Sequence, residues 1–234
     1  PNIKNFYSEN QWNRIRSDDG HIYFIPLFSS CYGHDTSTNH NDEAFWIQVR
    51  VLEWAGYPKI KTLDQYFDLI EDYLEANPTS EDGTPYIGYE ILANESYFFS
   101  LDNPPMFLDG YPNDGSCIVD TETLEAKDYN LSPTAEKWFK KLNEEYNKGI
   151  IDPECFVLTS DQYYEKLATG NVLGMVDQNW NFNNSVSDLP PECTYIPLSV
   201  TADESIQGQY HSITAFNDSM GLGITKSCND IEGA

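Results

Sequence analysis

The residues best suited to contact a ligand lie in one stretch, Asp177-Gln178-Asn179-Trp180-Asn181-Phe182-Asn183-Asn184. It follows Val172-Leu173-Gly174-Met175-Val176, an apolar and β-branched run that predicts a strand, so Trp180 is expected in a loop beyond a strand's carboxyl end. Open α/β sheets bind their ligands at that end. An indole covers an apolar C–H face while short amides and carboxylates exchange hydrogen bonds with hydroxyls, so Trp180 with Asp177 and Gln178 suits a sugar ring. The other arrangement open to the sequence folds Trp180 back onto the core beneath a polar surface loop. Tyr32 and His34 follow an earlier strand-like run, 21–28, in the same loop-after-strand position.

Other chemistries lack their patterns. The chain has no Gly-x-Ser-x-Gly elbow, no Gly-x-Gly-x-x-Gly after a strand, no Gly-rich loop ending in Lys-Ser/Thr and no His-Glu-x-x-His. His34 and His40 stand six residues apart in a polar loop, too far for the tight ligand spacing of a zinc site. Asp102, Asp109, Asn113 and Asp114 miss the one-three-five spacing of a calcium loop. With 38 Asp and Glu residues, carboxylates fall near one another by abundance, so a glycosidase-type pair is neither indicated nor removed. The expectation is a protein with no catalytic residue, no metal and no cofactor. The five cysteines (Cys31, Cys117, Cys155, Cys193 and Cys228) form no Cys-x-x-Cys pair and are expected to be mostly free, buried thiols, with one or two bridges open in an oxidising compartment.

The elements that must position Trp180 alternate between helix and strand. A helix is predicted over 41–55, with Phe45, Trp46, Val49, Leu52 and Trp54 as its apolar residues and Gly56 at its end. Thr62 and Gln65 form a capping box ahead of a helix that ends before Asn77-Pro78. Ser132-Pro133 opens a third, which places Trp138, Phe139, Leu142 and Tyr146 in the core and stops at Gly149. Thr159 and Gln162 cap a fourth, stopped by Gly170. Strands are predicted over 21–28, 86–91, 171–176, 194–199 and 220–225. The turn signals of 95–129 predict an insertion with a small hairpin, and the whole pattern is that of an α/β protein.

Composition narrows the partners. Thirteen Lys and Arg against 38 acids leave a net charge of −25, which excludes nucleic acid and anionic membrane surfaces as partners held by phosphate contacts. Forty per cent hydrophobic residues and 14% aromatics supply enough burial to order the chain. No run of about 18 apolar residues is present. The start without Met and an apparent helix cap at Asn229-Asp230 suggest a segment taken from a longer chain.

Six motifs in order resemble the extracellular solute-binding proteins of carbohydrate ABC transporters. They are Asp19-Gly20-His21-Ile22-Tyr23-Phe24-Ile25-Pro26; Phe45-Trp46-Ile47-Gln48 with Ala55-Gly56-Tyr57-Pro58; Thr62-Leu63-Asp64-Gln65-Tyr66; Tyr146-Asn147-Lys148-Gly149-Ile150-Ile151-Asp152-Pro153-Glu154; Lys166-Leu167-Ala168-Thr169-Gly170-Asn171-Val172-Leu173-Gly174-Met175; and Gly223-Ile224-Thr225-Lys226-Ser227-Cys228. The closest likeness is to lipoprotein-type sugar binders of Gram-positive bacteria. The opening strand–helix units, the lipid-carrying cysteine and the closing helices of that family lie outside the sequence. The resemblance implies a periplasmic-binding-protein-like (type II) α/β fold incomplete at both ends, with residues 1–234 as the central part of a two-lobed receptor.

It also implies a function: a monomeric, cell-surface substrate-binding component that holds a mono- or oligosaccharide in an aromatic-lined interlobe cleft and hands it to a membrane permease. By position it places Trp180, Asp177 and Gln178 on a cleft loop, Trp46 and Gln48 at a second cleft segment, and Tyr32, His34 and Tyr210 on the rim. Weak or absent binding is expected of the isolated segment. Alternatives from other classes are a glycan-acting hydrolase with paired carboxylates and a peptide-binding or adhesion module.

Overall fold

The structure, a computed structural model, describes residues 3–26, 43–94, 97–111, 117–119, 123–207 and 221–230. The chain divides into two compact units, Pro1–Thr36 with Ile213–Ala234, and Ser37–Ser212.

The smaller unit contains helix α1 (Glu9–Arg14), opened by a capping box in which Ser8 and Gln11 satisfy each other's backbone N–H groups. Its short antiparallel ribbon pairs β1 (Ile25–Pro26) with β8 (Gly221–Leu222). The strand predicted over 21–28 is thus cut to two residues among those described. A turn at Ser17–Gly20, with Gly20 in the left-handed region, holds the residues before it, and the Tyr23 hydroxyl donates to Asp19 Oδ2 at 2.5 Å.

The larger unit is built on a four-stranded sheet in the order β3 (Ile87–Glu90), β6 (Val172–Asp177), β2 (Ala44–Gln48), β7 (Tyr195–Leu198). Strands β3 and β6 run parallel, whereas β2 is antiparallel to both β6 and β7. The carboxyl ends of β3 and β6 therefore meet the amino end of β2.

Helices cover both faces, as a mostly buried sheet requires. One face packs against α2 (Val49–Trp54), α3 (Leu63–Ala76) and α6 (Pro133–Lys148) through Val51, Tyr66, Phe67, Ile70 and Trp138. The other packs against α7 (Ser160–Ala168) and α8 (Asn179–Val186) through Tyr163, Leu167 and Phe182. Thr62 with Gln65 and Thr159 with Gln162 form the expected capping boxes of α3 and α7. Gly149 ends α6 at φ +80°, where a side chain would be strained. Gly174 in β6 lets the Tyr66 hydroxyl reach Trp46 O at 2.6 Å; a Cβ there would lie 2.4 Å from that hydroxyl.

Four sequence expectations are corrected. The helix predicted over 41–55 is a strand, β2, running into the short helix α2. Phe45 and Ile47 enter one core while Ala44 and Trp46 enter the other, and a strand apolar on both faces loses the alternation that would identify it. The loop predicted over 177–184 becomes α8, because Phe182 packs on Trp46 and Tyr195 at ring distances of 5.1 and 5.7 Å and overrides the weak helix propensity of its asparagines. Asn103-Pro104-Pro105, predicted as a turn, joins α4 (Phe99–Asp102) to α5 (Pro104–Leu108), with the prolines in the first turn of α5. Phe139 and Tyr146, expected in the core, are 41% and 40% exposed. They sit beside the buried stripe of Ala135, Trp138, Leu142 and Glu145 and line a groove of about 370 Å³ with Cys155 and Phe156. Downstream of α5, β4 (Ile118–Val119) pairs antiparallel with β5 (Ala126–Lys127).

Candidate functional site

The carboxyl end of the sheet gathers chemistry that no single segment contains. Asp177 closes β6 and is 2% exposed. Its Oδ2 accepts from the Tyr163 hydroxyl at 2.7 Å, its Oδ1 from the Gln178 backbone N–H at 2.6 Å, and Asn181 Nδ2 reaches both oxygens at 3.0 and 3.1 Å. Burial pushes its pKa up to about 6, against those hydrogen bonds. Its backbone carbonyl accepts the Trp46 indole N–H at 2.8 Å. Asp177 thus fixes the start of α8, and with it Gln178 and Trp180.

Glu43, immediately before β2, is the residue that sequence reasoning missed. It is 1% exposed, and its Oε2 accepts from Asn103 Nδ2 at 2.9 Å and Gln178 Nε2 at 3.4 Å. Asn103 Oδ1 in turn accepts from the Tyr129 hydroxyl at 2.8 Å. Burial pushes the Glu43 pKa up to about 8; the two amides lower it, and the negative charges of Asp177 and Asp102 raise it again. At neutral pH most of the carboxyl keeps its proton. Nothing in the sequence pairs Glu43 with Asn103, sixty positions away.

Trp180 follows Gln178 by two residues in the chain. It is 58% exposed in the first turn of α8, so its indole face is open to solvent and not folded onto the core. Among the described residues, the structure brings Trp180, Gln178 and Asp177 to one end of the sheet. Trp46 supports them from beneath, 3% exposed and packed on Phe182. Gln48 is at the opposite end of β2, bonded through Nε2 to Gly170 O at 3.0 Å and to the Tyr195 hydroxyl at 3.3 Å. Tyr32, His34 and Tyr210 lie outside the described residues. A rigid scaffold carrying an exposed indole beside amides and a protonated carboxyl can bind a hydroxylated ring by stacking and hydrogen bonding.

Comparison with known proteins gives a fold. Neither a protein-family model nor a curated protein sequence matches the chain. Solved structures do. The Streptococcus pneumoniae ABC-transporter substrate-binding protein FusA, in complex with fructo-nystose, aligns with a TM-score of 0.66 at 20% identity over 91% of this chain and 42% of its own. A solute-binding protein from Bifidobacterium longum infantis, described as binding HMO and associated with an ABC transporter, aligns at 0.57 and 16% identity over 89% and 41%. Maltose-bound MalE3 of T. maritima aligns at 0.53 and 14% identity over 85% and 46%. The chain spans less than half the length of these proteins and has the periplasmic-binding-protein-like α/β fold they share. No helix among the described residues is long and apolar enough to cross a membrane.

Proposed function

We propose that this chain, with the fold of ABC-transporter substrate-binding proteins, belongs to an extracellular carbohydrate receptor that binds a mono- or oligosaccharide and presents it to a membrane permease. The observation that carries this reading is Trp180, solvent-exposed in the first turn of α8, two residues after Gln178, whose side-chain amide donates to Glu43. The sugar ligands named for the FusA and MalE3 structures support the same class of ligand. Trp180 stacks on a ring face and Gln178 meets its hydroxyls, while Asp177 and Trp46 hold the first turn of α8 in place.

The role is binding without bond cleavage. A glycosidase needs two carboxyls facing the scissile bond. Here both oxygens of Asp177 are taken by Tyr163, Asn181 and the Gln178 N–H, and Glu43 is buried to 1% exposure. Calorimetric titration of the complete gene product against a panel of mono- and oligosaccharides tests the proposal. Saturable heat with a sugar, without release of nitrophenol from aryl glycosides, is expected; silence across the panel would overturn it, and turnover would move the protein to the hydrolases.

A further inference from the structure

Two motifs of the sequence resemblance, the one ending in Asp152-Pro153-Glu154 and the one opening on Lys166, meet at the end of β3. The segment after α6 runs parallel to β3: the Tyr89 N–H donates to Ile150 O at 2.9 Å and the Asp152 N–H to Tyr89 O at 3.2 Å, with Tyr89 and Ile151 as the bridged pair. Glu90 and Asp152 are the next pair along, so their side chains leave on one face. Lys166, on α7, closes the cluster. Its Nζ pairs with Asp152 Oδ2 and with Glu154 Oε2, the latter at 2.8 Å, and stands 3.9 Å from Glu90 Oε2.

The ammonium thus bonds two of the three acids and leaves Glu90 beyond hydrogen-bond reach. Glu90 is 0% exposed, and its Oε1 accepts the Ile91 N–H at 3.0 Å. Its Oε2 accepts from no N–H or O–H among the described residues, yet a hydrogen bond joins its carboxyl to that of Asp152. Ionised carboxylates only accept, so two of them make such a bond with a proton between them. Burial comes first in pushing the Glu90 pKa up to about 9; the bond to Asp152 and that carboxylate's charge add to it, against the Ile91 N–H and Lys166. Burial raises Asp152 as well, but the bond from Glu90 and the Lys166 ammonium outweigh it and hold that carboxyl below its ordinary value. The other titratable groups facing Glu90 are Cys155 of the same segment, Tyr163 of α7 and Tyr195 of β7, and burial raises all three, Cys155 to about 11. Of the protonated groups in this cluster, Glu90 is therefore the first to ionise as pH rises.

The cluster bears on the candidate site through α7. Tyr163, three residues before Lys166, donates to Asp177 Oδ2 at 2.7 Å, and Tyr164 donates to Asn181 Oδ1 at 2.5 Å. We infer that Glu90 and Asp152 share one proton, and that the protonated pair with Lys166 is a positioning clamp that fixes α7 so that Tyr163 meets Asp177 at the start of α8. The consequence for ligand affinity rests on the carbohydrate reading; the proton and the clamp do not. Loss of the proton sets two buried carboxylates against each other, with a single lysine already shared with Glu154. Their separation moves Asp152, the Lys166 that it holds and the turn of α7 that carries Tyr163.

The complete gene product and its Glu90→Gln variant, compared from about pH 8 to about pH 10, test this. At the lower pH the infrared spectrum should show a protonated-carboxyl band that the variant lacks. Trp46 donates its indole N–H to Asp177 O at 2.8 Å, so its NMR signal reports on Asp177 without any ligand. With rising pH the wild-type signal should pass through a step that is missing in Glu90→Gln, whose amide donates to Asp152 at every pH. Affinity for a bound sugar should show the same added fall in the wild type, severalfold and no steeper than about tenfold per pH unit, the limit for one linked proton. Asp152→Asn should move the step to lower pH, because a neutral amide replaces the charge that keeps the proton on Glu90. An unchanged carboxyl band in Glu90→Gln would overturn the shared proton, and identical pH profiles in wild type and variant would overturn the clamp. Silence of every sugar would remove the carbohydrate reading alone, with the infrared and indole signals still deciding for or against the clamp.

Discussion

Two carboxyls, Glu43 and Glu145, are buried to 1% and 0% exposure in the same unit, and their surroundings differ in kind. Glu145, in α6, is met by Lys141 at 2.9 Å and Lys148 at 3.0 Å, and Lys148 also reaches Glu71 at 2.7 Å. Burial lifts its pKa while the lysines pull it back. The Glu43 carboxyl accepts from the Asn103 and Gln178 side-chain amides and faces two further acids. A carboxylate closed off by its own lysines has nothing left to offer a ligand and serves the fold. Under the proposed function, a carboxyl held by neutral amides at the end of the sheet belongs to a site for a polar ligand.

Substitutions at the two carboxyls should separate the roles by sign. Glu145→Gln strips the shared partner from two lysines, one of them only 10% exposed, and is expected to destabilise by about 3 kcal/mol in urea unfolding, the order seen for breaking a buried pair. Glu43→Gln should do the reverse at neutral pH. The folded pKa of Glu43, about 8, stands above the ordinary value of 4.5, so its favourable contribution is complete below 4.5 and is lost as pH rises through 8. The variant should therefore gain up to about 3 kcal/mol at pH 7 and lose that advantage on acidification toward 4.5. A flat difference between wild type and variant from pH 4.5 to 8 would place the Glu43 proton elsewhere.

Smaller effects test how the site is held. Thr159→Ala removes the cap of α7, the helix that carries Tyr163 to Asp177, and should cost about 1 kcal/mol. Trp180→Ala, at a position 58% exposed, should change stability by less than about 0.5 kcal/mol. It should nevertheless cost about 1–2 kcal/mol of sugar affinity in calorimetry, because an exposed aromatic anchor acts on binding and not on folding. A large loss of melting temperature in this variant would return Trp180 to the core.

The legibility of the molecule in its sequence follows the range of the interactions involved. Helices α3, α6 and α7 were readable because their caps are local: Thr62 with Gln65, Ser132 with Pro133, Thr159 with Gln162. Strand β2 was not, because burial on both faces erased its alternation, and α8 was hidden because Phe182 draws its stability from Trp46 and Tyr195, distant in sequence. The same division runs through the site. Trp180 and its polar neighbours stand together in the chain and could be singled out, whereas the Glu43–Asn103–Tyr129 network joins three segments and exists only in the fold.

The most direct test of sugar binding at Trp180 is to follow the tryptophan indole N–H signals by NMR during titration of the complete gene product with an oligosaccharide. The Trp180 signal should move along a saturable curve, while Trp46 and Trp138, whose N–H groups are bonded to Asp177 O and Leu101 O at 2.8 Å, should hold still. A stationary Trp180 signal under ligand that shifts other resonances of the chain would contradict a stacking role for this residue and move the site away from the carboxyl end of the sheet.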